Sequence, residues 1–323
     1  MIIDFNIRLY SYDNFLSDVN KLVEQYKTIL QYVTIGTSHD NRDILLLKLG
    51  IGKQTIVCSG GVHARETINP IVLLKIIEYY ADLYTNHRQR KLNLLSKLHK
   101  PYSYLGAEYE QMLYGTCIYE LLQTFTILFV PLLNPDGYTI ALEGFDAIRD
   151  PLLREKCISM QQASEQWKYN ARGIDINRNF PSMLWKKKFE QDDPASENET
   201  KSLISLFNTY KSKGYLDFHS RGKQIYYYRS VMPESYNHRQ LNIALALKNV
   251  TNYELVLPED EIDSGDSGGN TVHYYSEYFH KPALTIETVD EPAEFPLERH
   301  YRMQTFNELK YVIFEFGSRV VGL

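Results

Sequence analysis

The sequence predicts an α/β fold: a single domain with a mixed, mostly parallel twisted sheet of about eight strands, flanked by helices on both faces. Three observations lead to this prediction. Short apolar runs alternate with longer segments of helical periodicity along all 323 residues, which is typical of strand–helix units. The run at residues 124–131 is dominated by apolar side chains, as expected of a strand covered on both faces of a sheet. No repeat, low-complexity tract or linker interrupts the pattern, so we expect residues 1–323 to form one domain.

Periodicity and turn residues place the elements along the chain. A first helix is predicted at residues 12–26 and a long one at 67–84, because apolar residues recur there at helical spacing. Further helices are predicted near residues 92–98, 108–113, 198–212, 238–250, 270–279 and 297–316. Strands are predicted at residues 32–36, 44–49, 55–59, 124–131, 214–218, 224–229 and 283–287. Asn134-Pro135-Asp136-Gly137 is interpreted as a turn, and residues 141–166 as an excursion over the surface.

The composition is that of an ordinary soluble globular protein, with 44% hydrophobic and 23% charged residues. The net charge of −5 argues against a nucleic acid or an anionic membrane as a partner. No segment approaches the roughly 18 apolar residues that a membrane helix needs. The three cysteines, Cys58, Cys117 and Cys157, are too few and too widely spaced for a disulfide framework. Because the N-terminus lacks a signal-peptide pattern, we expect a cytoplasmic, reduced protein.

A candidate metal site lies at the junction between the strand at 55–59 and the helix at 67–84. His63 and Glu66 are three residues apart there, so an imidazole nitrogen and a carboxylate oxygen can point at one metal ion. Without further ligands, a histidine and a glutamate at this spacing are more often structural than metal-binding: the histidine packs in the core, and the helix dipole favours the glutamate at the helix start. His219 follows another predicted strand, and the carboxyl ends of strands meet at one edge of such a sheet. Two histidines, one carboxylate and a water complete a four-coordinate catalytic site, so one Zn²⁺ per chain is predicted.

Five motifs, in order, resemble the zinc carboxypeptidase family typified by pancreatic carboxypeptidases A and B. They lie at residues 61–66, 134–137, 173–180, 218–220 and 285–287, within a resemblance that runs from about residue 10 to 320. The stretch Trp167-Lys168-x-Asn170-x-Arg172-Gly173 resembles more narrowly the bacterial γ-D-glutamyl-meso-diaminopimelate peptidases, which act on peptidoglycan stem peptides. The resemblance implies a hydrolase, a zinc metalloprotease that removes a residue next to a free C-terminal carboxylate.

The resemblance also implies a role for each matched residue. His63, Glu66 and His219 correspond to the zinc ligands. Glu287 corresponds to the general base that activates the metal-bound water and passes its proton to the leaving amine. Its place in an apolar strand is expected to raise its pKa towards the useful range. The residues that correspond to substrate-binding positions are Arg65, Asn177, Arg178, Ser220 and Thr271.

Within this set, Asn177 and Arg178 are expected to hold the terminal carboxylate, which a guanidinium fork matches with two hydrogen bonds. Arg172 is expected to stabilise the oxyanion, with Lys168 as the second candidate; a structural salt bridge is the alternative for Arg172. Thr271 takes the specificity-pocket position, two residues after Gly269, and a polar pocket suits a polar or zwitterionic side chain such as diaminopimelate.

One position departs from the pancreatic pattern. The pancreatic enzymes carry a mobile tyrosine three residues before the serine of their Ser-Gly-Gly segment, and here Ser264 stands at that position. Either another tyrosine covers the substrate or none does.

Three functional hypotheses follow. The leading one is release of diaminopimelate, or a similar residue, from γ-D-glutamyl peptides derived from peptidoglycan, with a short stem peptide as the partner. The second is a general carboxypeptidase that acts on ordinary L-peptides. The third is a catalytically inactive binding protein on the same fold, which the retention of His63, Glu66, His219 and Glu287 disfavours.

Overall fold

A computed structural model describes residues 1–95, 106–188, 190, 192–261 and 268–322. Its strands are β1 (Leu30–Thr37), β2 (Asp43–Leu49), β3 (Gln54–Gly60), β4 (Phe125–Val130), β5 (Tyr215–Ser220), β6 (Gln224–Tyr226), β7 (Glu254–Leu255) and β8 (Ala283–Thr288). They form one eight-stranded sheet in the order β1-β2-β4-β3-β5-β8-β6-β7. The predicted α/β class and its mixed sheet are therefore confirmed.

The centre of the sheet is parallel. Strands β4, β3, β5 and β8 run in the same direction. The pairs β1–β2, β2–β4 and β6–β8 are antiparallel, and β7 pairs with β6 in parallel. Every residue of β5 is buried, as expected for a strand covered on both faces. The carboxyl ends of the four parallel strands lie at one edge of the sheet, and His63, Asn134, His219 and Glu287 lie at or just beyond those ends.

Helices cover both faces of the sheet. They are α1 (Tyr12–Gln25), α2 (Ile68–Thr85), α3 (His87–Leu95), α4 (Gly106–Thr124), α5 (Pro135–Glu143), α6 (Pro151–Ser159), α7 (Asn198–Thr209), α8 (Glu234–Thr251), α9 (Thr271–Phe279), α10 (His300–Leu309) and α11 (Val312–Val320). Side chains alternate along β3: Ile56 packs into one apolar cluster with residues of α2, α8 and α11, and Val57 into another with α7 and α9. Within the described part of the chain, no helix is both long and apolar enough to cross a bilayer.

One local prediction was wrong, and a second, the surface excursion at 141–166, holds but contains regular helix that the sequence analysis left out. Asn134 caps a helix rather than starting an isolated turn: its side chain accepts a hydrogen bond from the Gly137 N–H at 2.9 Å, and Pro135 is the first helical residue. Residues 141–166 contain the end of α5 and all of α6, which begins in the same way at Asp150 and Pro151. Asparagine or aspartate followed by proline favours helix starts as well as turns.

Other boundaries also differ from the prediction. The helix predicted at 297–316 is divided into α10 and α11 between Leu309 and Val312, a break that the apolar pattern does not mark. Strand β6 ends at Tyr226, and the two-residue strand β7 has no sequence signal. Helix α4 extends further in both directions than 108–113, and part of the helix predicted at 92–98 falls outside the described residues.

A buried carboxylate, Glu197, anchors the irregular segment that precedes α7. Its Oε2 accepts a hydrogen bond of 2.7 Å from Asn170 Nδ2 and lies 3.1 Å from Nε2 of His39, in the β1–β2 turn. Its Oε1 accepts hydrogen bonds from Ser196 Oγ at 2.7 Å and Arg172 at 3.2 Å. Burial alone would raise the pKa of Glu197, but these hydrogen bonds and the Arg172 charge outweigh it and lower the pKa to about 2. The ionised carboxylate thus fixes the chain on both sides of the 173–180 motif.

We expect Glu197→Gln to lower the free energy of unfolding at pH 7 by about 3 kcal/mol. The pKa of Glu197 is depressed in the folded state, so its contribution is fully present above the unfolded value near 4.5 and is lost as the pH falls towards 2. Urea unfolding between pH 7 and pH 3 measures this difference. Glu298→Gln, at a side chain that is 79% exposed, is the matched control. A destabilisation that is as large at pH 3 as at pH 7 would contradict the assignment.

Candidate metal centre and active site

Three side chains at the carboxyl edge of the sheet point their ligand atoms at one another. His63 Nδ1 lies 2.6 Å from Glu66 Oε1, and His219 Nδ1 lies 3.2 Å from Glu66 Oε2. The two histidine Nδ1 atoms are 3.2 Å apart. All three residues are buried. The structure therefore brings together the three residues that the sequence analysis selected as metal ligands.

The turn that carries His63 is held from several sides. Gly61 has a φ of 61°, a left-handed conformation that favours glycine, and it turns the chain sharply after β3. Asn134 is fully buried, and its Nδ2 donates hydrogen bonds to the carbonyl oxygens of Val62 at 3.0 Å and Tyr169 at 3.1 Å. Asn134 therefore braces the ligand turn and does not face the site.

The three ligand atoms fit a zinc ion. Around a tetrahedral zinc with bonds of about 2.0–2.1 Å, neighbouring ligand atoms are roughly 3.3 Å apart. The two histidine Nδ1 atoms are separated by 3.2 Å, as are His219 Nδ1 and Glu66 Oε2. Burial alone would raise the pKa of Glu66, but His63 and His219 outweigh burial and lower it to about 2, so the carboxylate is ionised. When bound, zinc would supply a Lewis acid and a water of lowered pKa.

Two carboxylates lie behind the histidines, and the hydrogen bond to the one behind His219 is positioned to fix the tautomer of that ring. Asp175 Oδ1 lies 3.3 Å from His63 Nε2, and Asp217 Oδ2 lies 3.0 Å from His219 Nε2. A proton held on each Nε2 leaves the Nδ1 lone pair free for a metal, which is the usual arrangement of metal-binding histidines. The sequence analysis assigned no role to either aspartate. A signal existed for Asp217, because side chains two residues apart in a strand share a face, and His219 is two residues further on.

Glu287 stands beside the ligand set on the neighbouring strand. It pairs with His219 in the register of β5 and β8. Its Oε2 has no hydrogen-bond partner among the described residues. Removal from water raises the pKa of Glu287 to about 8, against the opposing charge of His219. A carboxylate with a raised pKa suits proton transfer near neutral pH, and a cation on the adjacent ligands would bring the value down towards neutrality.

A single cavity of about 550 Å³ opens over these groups. Its lining includes His63, Glu66 and Glu287, together with the predicted substrate-binding residues Arg65, Asn177, Arg178 and Ser220. Asn177 is fixed through its Oδ1, which accepts a hydrogen bond of 3.0 Å from the N–H of Thr271. The Ser220 hydroxyl lies 2.8 Å from Oγ1 of Thr288. These predicted site residues therefore share one cavity.

The structure does not bring Arg172 or Thr271 into that cavity. Arg172 is paired with Glu197, away from the ligands, which is the salt-bridge alternative. Lys168 lines the cavity instead, with its Nζ 2.9 Å from Asp175 Oδ2. Thr271 is fully buried, and its Oγ1 donates a hydrogen bond to Asp217 and so points away from the cavity. Its predicted specificity role is therefore not supported by the geometry.

The far wall of the cavity was not identified from the sequence. It includes Arg229, Glu261 and His273, which come from three separate segments, and no local motif marks them. Ser264, the position of the missing capping tyrosine, lies outside the described residues.

Known proteins resemble this chain over most of its length. One is the γ-D-glutamyl-L-diamino acid endopeptidase 1 of Lysinibacillus sphaericus, 24% identical over 86% of this chain and 65% of the relative. Another is the inactive metallocarboxypeptidase ECM14 of Paracoccidioides brasiliensis, 27% identical over 64% of this chain and 32% of the relative. The chain thus spans less than two thirds of the length of these relatives.

The fold has solved counterparts. The crystal structure of thrombin activatable fibrinolysis inhibitor superimposes on 97% of this chain and 75% of that protein, with a TM-score of 0.71 and 19% sequence identity. At that identity, the likeness supports the fold alone. The sequence profile of the zinc carboxypeptidase family matches residues 15–99 and 104–310, which is most of the chain. The resemblance predicted from the motifs is thereby confirmed, and this chain belongs to the zinc carboxypeptidase family.

Proposed function

We propose that this chain is an active, zinc-dependent metallocarboxypeptidase that releases the C-terminal residue of a short peptide. One observation carries the proposal. The three candidate ligands, His63, Glu66 and His219, lie next to one cavity, and the Glu287 carboxylate stands beside them. Some relatives are named inactive. The buried, ionised ligand set and a base of raised pKa are the features that favour activity here.

In the proposed reaction, each residue has a separate task. Ionised Glu287 accepts a proton from the attacking water and returns it to the leaving amine as the peptide bond breaks. The Lys168 ammonium lies in the cavity wall, where it can offset negative charge that develops on the carbonyl oxygen. Asn177 and Arg178 would hold the free carboxylate of the residue to be released.

As the specific substrate we propose L-Ala-γ-D-Glu-diaminopimelate, from which diaminopimelate is released. The name of the Lysinibacillus sphaericus relative, which refers to γ-D-glutamyl and diamino acid groups, supports this substrate class. The general carboxypeptidase of L-peptides is the second candidate. A cytoplasmic site of action, where wall fragments would be turned over, is part of the same proposal, and the three cysteines are all free.

The purified protein is expected to carry about one zinc per chain, and His219→Ala to lose most of it, because two remaining ligands bind zinc poorly. Elemental analysis after dialysis measures the content. His238→Ala, at a side chain that is 74% exposed on α8, is the control and is expected to keep its zinc. If His219→Ala holds zinc as tightly as wild type, the ligand assignment is wrong.

The variant Glu287→Gln is expected to keep its fold and zinc but to lose kcat by on the order of 10²–10⁴, the range for positioned acid–base groups. The physical reason is that the amide cannot accept the proton of the attacking water. Steady-state kinetics on the tripeptide, with zinc content measured in parallel, tests this. The exposed Glu254→Gln is the control. Near-normal turnover of the zinc-loaded Glu287→Gln protein would remove Glu287 from the mechanism.

The last expectation concerns the free carboxylate. Amidating it should cost roughly 2–5 kcal/mol in kcat/KM, as for a buried charge pair that loses one partner. Arg178→Ala should cost a similar amount with the free acid and little more with the amide, because the two changes remove the same contact. Equal cleavage of acid and amide by wild type would overturn the exopeptidase assignment but leave the zinc chemistry untouched.

A further inference from the structure

The end of the cavity away from the metal ligands is built from buried polar residues. Arg229 and His273 are each 1% exposed, and the side chain of Glu261 is 5% exposed. Asn270, just before α9, also lines this region. Buried charges are costly unless each is paired, so this wall is specialised for some polar group.

This wall lies beside strand β8, which carries Glu287, the candidate base. Glu287 and Thr285 share one face of that strand, and Tyr226 pairs with Thr285 from β6; all three line the cavity. Arg229, which follows β6, donates a hydrogen bond from Nη2 to the carbonyl oxygen of Ala283 at 3.0 Å. Ala283, Thr285 and Glu287 alternate onto one face of β8, so the wall and the candidate base border the same side of the cavity.

Three atoms of the wall have no hydrogen-bond partner among the described residues: Arg229 Nε, His273 Nδ1 and Asn270 Oδ1. The other ring nitrogen of His273, Nε2, lies 3.1 Å from Glu261 Oε1. Burial and the nearby Arg229 charge lower the pKa of His273 despite the Glu261 contact, so the ring is neutral. Its Nε2–H then donates to Glu261, and Nδ1 is left as an acceptor. The wall thus offers one cationic donor and two acceptors.

On this geometry we propose that Arg229, His273 and Asn270 recognise the far end of the released side chain, and that this end is zwitterionic. Its carboxylate accepts from Arg229 Nε, and its ammonium donates to His273 Nδ1 and Asn270 Oδ1. The inference rests on the proposed peptidase function and names the specificity residues of that site.

The three unpartnered atoms favour this end group over simpler ones, because a carboxylate can accept from Arg229 Nε and an ammonium can donate to His273 Nδ1 and Asn270 Oδ1. A lysine-like end would leave Arg229 Nε without an acceptor, and a glutamate-like end would leave His273 Nδ1 without a donor. An apolar end would satisfy neither, and each buried polar group left unpaired reduces binding.

Four peptides of the form L-Ala-γ-D-Glu-X test the proposal on the zinc-loaded wild type, with X as meso-diaminopimelate, L-lysine, L-2-aminopimelate or L-norleucine. The second lacks the far carboxylate, the third lacks the far amine and the fourth lacks both. We expect kcat/KM for diaminopimelate to exceed the other three by on the order of 10²-fold or more, because a site built on hydrogen bonds rejects analogues that lack them. Values for lysine or norleucine within tenfold of diaminopimelate overturn the proposal.

Calorimetric titration with the four free amino acids separates this inference from the proposed function. If no peptide is cleaved but meso-diaminopimelate binds at least tenfold more tightly than the other three, the peptidase proposal fails and the wall assignment stands. If all four bind equally, the wall assignment fails whatever the catalytic result.

Substitutions of single residues test which side chains of the wall recognise the end group. Arg229→Met should lower kcat/KM for the diaminopimelate peptide about 10²-fold and leave the lysine peptide within about threefold, with Arg239→Met on α8 as the matched control. Because Arg229 also bonds to Ala283, circular dichroism must first establish that the variant is folded. If it is not, His273→Leu decides: leucine has no acceptor in place of Nδ1, and Glu261 still accepts hydrogen bonds from the Ser230 N–H. His273→Leu should erase most of the preference for diaminopimelate over 2-aminopimelate, and an unchanged preference overturns the role of His273.

Discussion

The register between β5 and β8 is the constraint on which the site depends. His219 pairs with Glu287, and a slip of one residue would turn either side chain to the opposite face of the sheet. Parallel pairing of β3 with β5 then brings the His63 turn to the same edge. Residues more than 150 positions apart in sequence thus meet because three buried strands run in one direction. The apolar clusters on both faces hold that register.

Four carboxylates lie together around this edge of the sheet. Glu66, Asp175, Asp217 and Glu287 lie close to two histidines, and Lys168 supplies a cation through Asp175. Such a cluster is costly to bury unless a cation offsets it. The raised pKa of Glu287 reflects the same clustering, because burial and the neighbouring carboxylates oppose its ionisation. A divalent ion on the three ligands would relieve the repulsion, so metal binding and the ionisation of the base are coupled.

The fold and the three candidate ligands could be predicted from the sequence because both leave local signals. Strand–helix alternation marks the sheet, and the spacing of His63 and Glu66, with His219 at a strand end, marks the ligand set. The direction of side chains outside regular elements leaves no such signal. Arg172 and Lys168 are four residues apart in one irregular segment, and only the folded chain decides that Lys168 faces the cavity and Arg172 faces Glu197. Tertiary packing alone brings together Arg229, Glu261 and His273, so no sequence pattern predicts that they meet.

Thr271 does not line the cavity, but it hydrogen-bonds to two residues that are close to it. Its N–H donates to Oδ1 of Asn177, which we propose binds the substrate carboxylate, and its Oγ1 donates to Asp217, which contacts His219. Threonine is β-branched and stiff about χ1, so Thr271 forms a rigid link between these two residues. From outside the cavity, this one buried residue connects the residue proposed to bind the substrate carboxylate with the residues proposed to bind the metal.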